Sequence, residues 1–302
     1  MFKATRSVAA GLSTTKSVTL LLAAVATLAG CSNSRPAAHS ESTTTTVQST
    51  TPPPANSGSS TSSTTAPAFP AVVVAALKAV GSTRPPLIAP RVIPLPPSVT
   101  ALSATTSTTA DSWSVDLYAT PSPLAVNDPV LSTTPYGPSG PNHFGSFGAS
   151  KSASDSAADA ALRTEASNLD HDCRSQLSPV SLGDGITAQS CANGTGTTYI
   201  WTEGNWHIGV DTSNSNGPAD TQLASQIVSF LHTAFLPAPS TVGVIAATAT
   251  GGPQTTGPSS TVPGTAATAV TVNWAVGAIT LHFADDLNAL DGLKMAVSEA
   301  SY

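Results

Sequence analysis

Two tryptophans carry the same local pattern, and that pattern restricts the fold more than any other feature of the chain. WTEGNWHIGV begins at Trp201 and WAVGAITLHF begins at Trp274. Both fit W-x-x-G-x-Φ-x-Φ-x-Φ, where Φ is apolar: Trp206, Ile208 and Val210 in the first, Ile279, Leu281 and Phe283 in the second. Gly204 and Gly277, three residues after each tryptophan, supply the backbone freedom of a tight turn. The alternation behind each glycine gives a strand with one apolar face. His207 and His282 fall between apolar positions and are expected on the opposite, solvent-facing side.

The surroundings repeat as well. Residues 186–191 and 197–201 can pair across ANGTG, where Asn193-Gly194 is a strong turn signal. Residues 242–248 and 269–274 bracket a long Gly/Pro/Thr-rich segment. A helix follows each hairpin. Pro218 and Asp220 suit the start of the first, and Leu223, Ile227 and Leu231 recur every four residues. Leu290, Leu293 and Val297 stripe the second, across Gly292, which costs about 1 kcal/mol in a helix interior. The expected fold is α+β: antiparallel sheet with helices packed on one face, built from two β-β-β-α units at about 180–237 and 240–302. Because Glu203 and Asn205 do not recur while Trp201, Gly204, Trp274 and Gly277 do, the repeated positions are expected to be structural.

Upstream the signals are weaker. AVVVAALKAVG allows a helix closed by Gly81 or a strand through residues 72–74, and RPPLIAPRVIPLPP must be extended. Residues 113–120 alternate as a strand, with Trp113, Val115 and Leu117 on one face. YGPSGPNHFGSFG, residues 136–148, is expected to be a glycine-rich loop carrying His143, without the spacing of a phosphate loop. Residues 154–169 form a helix pattern, with Ser154 and Asp155 at its cap and Ala158, Leu162 and Leu169 near one face.

The N-terminus is built differently. Lys3, Arg6 and Lys16 precede an apolar run at 18–28 that is too short to span a bilayer as a helix. It ends in LAGC, Leu28-Ala29-Gly30-Cys31, which resembles the lipobox of bacterial lipoproteins at every position. The resemblance implies a signal peptide at residues 1–30 and a diacylglycerol on Cys31, often with a further acyl chain on its amine. It also implies a membrane-anchored, extracytoplasmic protein. Residues 31–68 are rich in Ser, Thr and Pro and cannot bury enough surface to offset chain entropy. They are expected to be a disordered stalk, which as polyproline would reach roughly 110 Å, and its Ser/Thr density would suit O-glycosylation. A folded extracytoplasmic domain is then expected over residues 69–302.

Charge and cysteines narrow the partners. The chain has 11 Lys+Arg and 17 Asp+Glu. Loss of the signal segment, with its three basic residues, would leave 8 against 17, a net −9. The remaining basic residues form no stripe, so nucleic acid is not an expected partner. With Cys31 assigned to lipid, Cys173 and Cys191 are expected to form a disulfide in an oxidising compartment, with a metal site at Asp170–Cys173 the weaker alternative.

Catalytic motifs are scarce. Beyond the N-terminal signal segment the chain carries no G-x-S-x-G elbow, no S-x-x-K pair and no H-E-x-x-H helix. Asp184 and Asp211 could form a carboxylate pair for glycan chemistry, and His143 is the most enzyme-like single residue. The duplicated strand–turn–strand–helix pattern resembles small extracytoplasmic domains of bacterial envelope sensors and lipoproteins, over about residues 186–298. That resemblance implies a binding or interaction module and not an enzyme. No cofactor or metal is expected, and the expected partner is an envelope protein or wall component. A carrier of an apolar ligand and an unfamiliar hydrolase are the alternatives.

Overall fold

The computed structural model describes residues 68–302 apart from 83–84, 138, 174–176, 194–195, 214–220 and 251–266. The signal segment, Cys31, the stalk, Gly194, Pro218 and Asp220 lie outside the described residues. No helix among the described residues is long and apolar enough to cross a membrane.

Among the described residues the fold is α+β, four helices on a large and mostly antiparallel sheet. In chain order the helices are α1 (Ala71–Val80), α2 (Asp155–Asp172), α3 (Gln222–Leu231) and α4 (Ala289–Val297). Strand β1 (Ile88–Pro90) pairs only with the C-terminal β12 (Glu299–Ser301). The remaining strands are β2 (Ala101–Thr108), β3 (Ser112–Thr120), β4 (His143–Lys151), β5 (Ser178–Gly183), β6 (Ile186–Asn193), β7 (Gly196–Glu203), β8 (Trp206–Ser213), β9 (Gly243–Thr250), β10 (Ala267–Val276) and β11 (Ile279–Asp285). They form one ten-stranded sheet in the order β2-β3-β4-β11-β10-β9-β8-β7-β6-β5. Every neighbouring pair is antiparallel except β8 and β9, which run parallel at the middle of the sheet because α3 lies between them in the chain. Both tryptophan segments are therefore parts of a single sheet.

The turn glycines do what their spacing asks of them. Gly204 (φ +57°) and Gly277 (φ +61°) each open a two-residue turn, so Glu203 pairs with Trp206 and Val276 with Ile279. Beyond the turns, one face of the sheet collects the large apolar side chains. A row of rings crosses it: Trp206 packs edge-on to Trp274, Trp274 stacks on Phe283, Phe283 on Phe147, and Trp113 meets Phe147 edge-on, with centroids 5.4–6.3 Å apart. Trp206 and Trp274 flank β9, and their shared neighbour there is Gly243. A Cβ on Gly243 would stand 2.5 Å from the Trp206 ring, so the missing side chain is what lets the two indoles meet.

Helices α1, α3 and α4 cover this face through Val73, Leu77, Leu223, Ile227, Leu293 and Met295, all buried. The Ala71–Val80 segment is thus helix and not strand, closed by Gly81 at φ +74°. Gly292 has a packing reason for its helix cost: a Cβ there would lie 2.4 Å from Val270, so the glycine lets α4 settle onto β10.

The expectation that the helices share one face fails for α2. Its buried residues Ala158, Leu162 and Ala166 pack on Val244 and Ala275, which neighbour Ile245 and Trp274 in sequence and so point the other way. Small residues make room for it. At Gly209 a Cβ would stand 3.0 Å from Leu169, so α2 rides close to the β8 backbone. Ser154 caps the helix by accepting from the Ala157 amide, and the Cys173–Cys191 disulfide ties its C-terminal end to β6, with Cα atoms 5.4 Å apart.

The expected loop at 136–148 also needs correction, because His143–Lys151 is strand β4, inside the sheet between β3 and β11. Its two phenylalanines are three residues apart, which breaks the period of a strand. The pairing explains how both are buried. Leu117 pairs with Gly145 and Tyr118 with His143, so Phe144 is an extra residue bulged into the ladder. That bulge is what hid the strand in the sequence.

Candidate functional site

The second face of the sheet is polar where the first is apolar. Helix α2 lies over β7 to β11. Toward the sheet's β2 end the face carries Ser107 and Ser150, exposed, and Ser112, Ser114, Asp116, Ser146, Thr280 and His282, half-buried. Ser107, Ser112, Ser114, Ser150, Thr280 and His282 line an open groove of about 240 Å³, with Trp113, Gly148 and Ala149 at its floor. Gly148 faces both His282 and Ser114 across its two ladders, and a Cβ on it would collide with the Trp113 carbonyl at 2.5 Å.

Two constellations sit beside the groove. In the first, a chain of hydrogen bonds runs from β4 to α2. Ser146 Oγ lies 3.2 Å from His282 Nε2, His282 Nδ1 lies 2.6 Å from Asn273 Oδ1, and Asn273 Nδ2 donates to Glu165 Oε1 at 2.6 Å. The chain sets its own proton arrangement. A carboxylate accepts only, so Glu165 turns the Asn273 amide nitrogen toward itself and the carbonyl toward His282. His282 Nδ1 must then carry a proton, which leaves Nε2 as the acceptor for the Ser146 hydroxyl. Burial lowers the His282 pKa below 6.5 despite the pull of Asp116 and Asp286, so the imidazole is neutral at pH 7. Burial likewise raises Glu165, against the Asn273 hydrogen bond.

In the second constellation His143 is held between two carboxylates. Its Nδ1 is 2.5 Å from Asp286 Oδ2, and its Nε2 is 3.6 Å from Asp116 Oδ1, an ion-pair distance. Tyr118 packs edge-on against the ring at 5.4 Å. Burial alone would lower the His143 pKa, but the two carboxylates outweigh it and push it up to about 9. His143 is therefore an imidazolium at neutral pH, a clasp joining β3, β4 and the start of the β11–α4 connection. A charged ring cannot serve as a general base, so the enzyme-like histidine of the sequence has an electrostatic role here.

The other sequence candidates scatter. Asp184 occupies the β5–β6 turn at φ +50° and faces His232 at 3.6 Å. Asp211 accepts from Thr198, which pairs with Cys191 on β6. That point lies six strand residues into β6, at about 3.3 Å each, while Asp184 lies in the turn before β6, so the two aspartates form no pair. Cys173 is consumed by the disulfide, which leaves no thiolate for a metal at Asp170–Cys173, and no metal-holding group occurs among the described residues. His207 bonds Asp170 at 3.0 Å under α2, and His282 bonds Ser146 and Asn273. Both point away from the aromatic face, as the alternation demands, but α2 and the chain of bonds keep them from being simple solvent-facing residues.

Part of the site could have been found by register alone. A two-residue turn at Gly277-Ala278 places Asn273 opposite His282. Asp116 and Ser146 could not, because recognising them requires β4 and its place between β3 and β11. No family model matches the chain, and no curated protein or solved structure matches it either.

Proposed function

We propose that this chain is a lipid-anchored extracytoplasmic lipoprotein whose folded domain binds a polar component of the cell envelope, a protein or a wall polymer, across the second face of its sheet. The observation that carries the reading is the contrast between faces: three helices seal one, while the other keeps an open groove of serine and threonine hydroxyls beside the charged clasp of His143, Asp116 and Asp286. Rows of hydroxyls can exchange hydrogen bonds with water for hydrogen bonds to sugar hydroxyls or peptide amides. Among the described residues, the aromatic row that fills the space under α1, α3 and α4 leaves no cavity there for an apolar cargo. Anchoring rests on the lipobox and Cys31, and the residues between Cys31 and the domain serve as the tether. In the same reading, residues 180–237 and 240–302 descend from one β-β-β-α unit, the first with β5 added at its outer edge.

Native mass spectrometry of the protein extracted gently from its own membrane tests the binding. A bound polymer fragment or protein is expected, and a Ser114→Arg variant that fills the groove should lose it. Cys31→Ser should move the protein from the membrane to the soluble fraction without changing its thermal stability. A bound lipid that survives Ser114→Arg would replace this reading with that of an apolar carrier.

A further inference from the structure

We propose that Ser146 is a nucleophile that accepts an acyl group from an activated ester, with His282 as its general base. This goes beyond binding: it uses the same open face but does not depend on what occupies the groove in the envelope.

Three features distinguish Ser146 from the other serines of the face. Its hydroxyl meets the unprotonated nitrogen of a neutral imidazole, with the tautomer fixed from behind by Asn273 and Glu165. The next residue on its face along β4 is Gly148, so no side chain stands between it and the groove. The groove reaches His282 directly, and Ser146 itself is half-buried, not sealed. A carboxylate, an amide, an imidazole and a hydroxyl in one line is the arrangement that nucleophilic serine chemistry needs, although no sequence motif announces it.

In the step proposed, Ser146 Oγ attacks the ester carbonyl while its proton passes to His282 Nε2. The carbon–oxygen bond to the alcohol then breaks, and the departing alkoxide takes that proton from the imidazolium. The products are an acyl ester on Ser146 and a free alcohol, with His282 neutral again. Stabilisation of the oxyanion is the weak part of the arrangement. Strand β4 lies between β3 and β11, so its amides are committed to the ladders, and the donors lining the groove are the hydroxyls of Ser114, Ser150 and Thr280. Asp116, paired with Ser146 across the ladder, adds negative charge. Both steps pass through an oxyanion and are slowed alike, but acylation by an activated ester has a good leaving group and deacylation of a serine ester has none, so the adduct accumulates.

The test uses the full-length protein in detergent with a fluorophosphonate probe and p-nitrophenyl acetate, read by intact mass and peptide mapping. One adduct per chain on Ser146 is expected, together with a single burst of nitrophenol. Ser146→Ala should abolish both, and Ser229→Ala, at an exposed position of α3, should leave both unchanged. His282→Gln should slow labelling by about 100-fold or more while thermal melting confirms a folded chain. The wild-type rate should be flat above pH 6.5 and fall at lower pH, as the buried His282 takes a proton. Absence of labelling in the folded wild type, labelling that persists in Ser146→Ala, or a rate indifferent to His282→Gln would each overturn the proposal. Loss of the envelope ligand in the groove-filling variant, by contrast, bears on the binding reading and leaves this one standing.

Discussion

The two faces of one sheet, built from alternate residues of the same strands, solve opposite problems. On β10, Trp274 is fully buried in the aromatic row, while Asn273 beside it links His282 to Glu165. At the end of β11, Asp285 is buried under the helices, and the next residue, Asp286, reaches the other way to His143. The first face is held by area and ring packing, which are insensitive to pH and tolerant of small shifts. The second is held by a helix with a thin apolar stripe, a disulfide and directional polar contacts. Stability should therefore depend most on the first face, and chemistry on the second.

The sharpest way to break that contrast is to empty the aromatic row. Trp274→Ala should cost about 3–5 kcal/mol in equilibrium urea unfolding, because the ring contacts both Trp206 and Phe283. Trp274→Phe should cost far less. The indole nitrogen of Trp274 has no hydrogen-bond partner among the described residues, so the smaller ring gives up area and no polar contact. A loss of similar size from Asn273→Ala on the opposite side would refute the division of labour.

Next in size is the staple on the second face. Replacing both Cys173 and Cys191 by serine should cost about 2–4 kcal/mol, since the bridge closes a short loop between residues 18 apart in sequence. The loss should be concentrated at α2, visible as faster hydrogen exchange over Asp155–Asp172, while amides of β8 to β11 keep their protection. Uniform loosening of the whole domain would mean that α2 is part of the main core after all.

How far these faces could be foreseen depends on the physical signal each leaves in the chain. Apolar alternation behind a glycine turn is local, so β8, β11, α3 and the direction of His207 and His282 were readable. So was the cap of α2 at Ser154. Strand β4 was not, because the bulge at Phe144 and the glycines at 145 and 148 erase its period. The placement of α2 on the far face was hidden for a related reason: nothing in Ala158, Leu162 and Leu169 states which side of a sheet they meet. That choice is made by Gly209 and Ala275 on strands distant in sequence. Both constellations of the candidate site depend on β4 or α2, so they became visible only with the tertiary structure.

The smallest expected effect separates the faces by pH. Asp285, on the first face, is raised by burial to about 7, so the folded chain holds a proton that an unfolded aspartate releases near 3.8. Its contribution therefore falls as pH rises from about 4 toward 7. His143, on the second face, is raised from 6.5 to about 9. A histidine whose folded pKa is raised stabilises fully below its unfolded value, and that stability is lost as pH climbs through the folded one. Stability from the clasp is thus present at pH 6 and gone above pH 9. Asp286 is 45% exposed, so solvent screening reduces the effect to about 1–2 kcal/mol. Urea unfolding of the wild type and His143→Gln between pH 4 and 10 measures it. Between pH 7 and 9 the wild type should lose stability and His143→Gln should not, while Asp285→Asn should flatten only the window from about pH 4 to 7. If His143→Gln instead flattened the acidic window, the charges of the two faces would be coupled through the Asp285-Asp286 backbone, and the independence of the two faces would fail at that point.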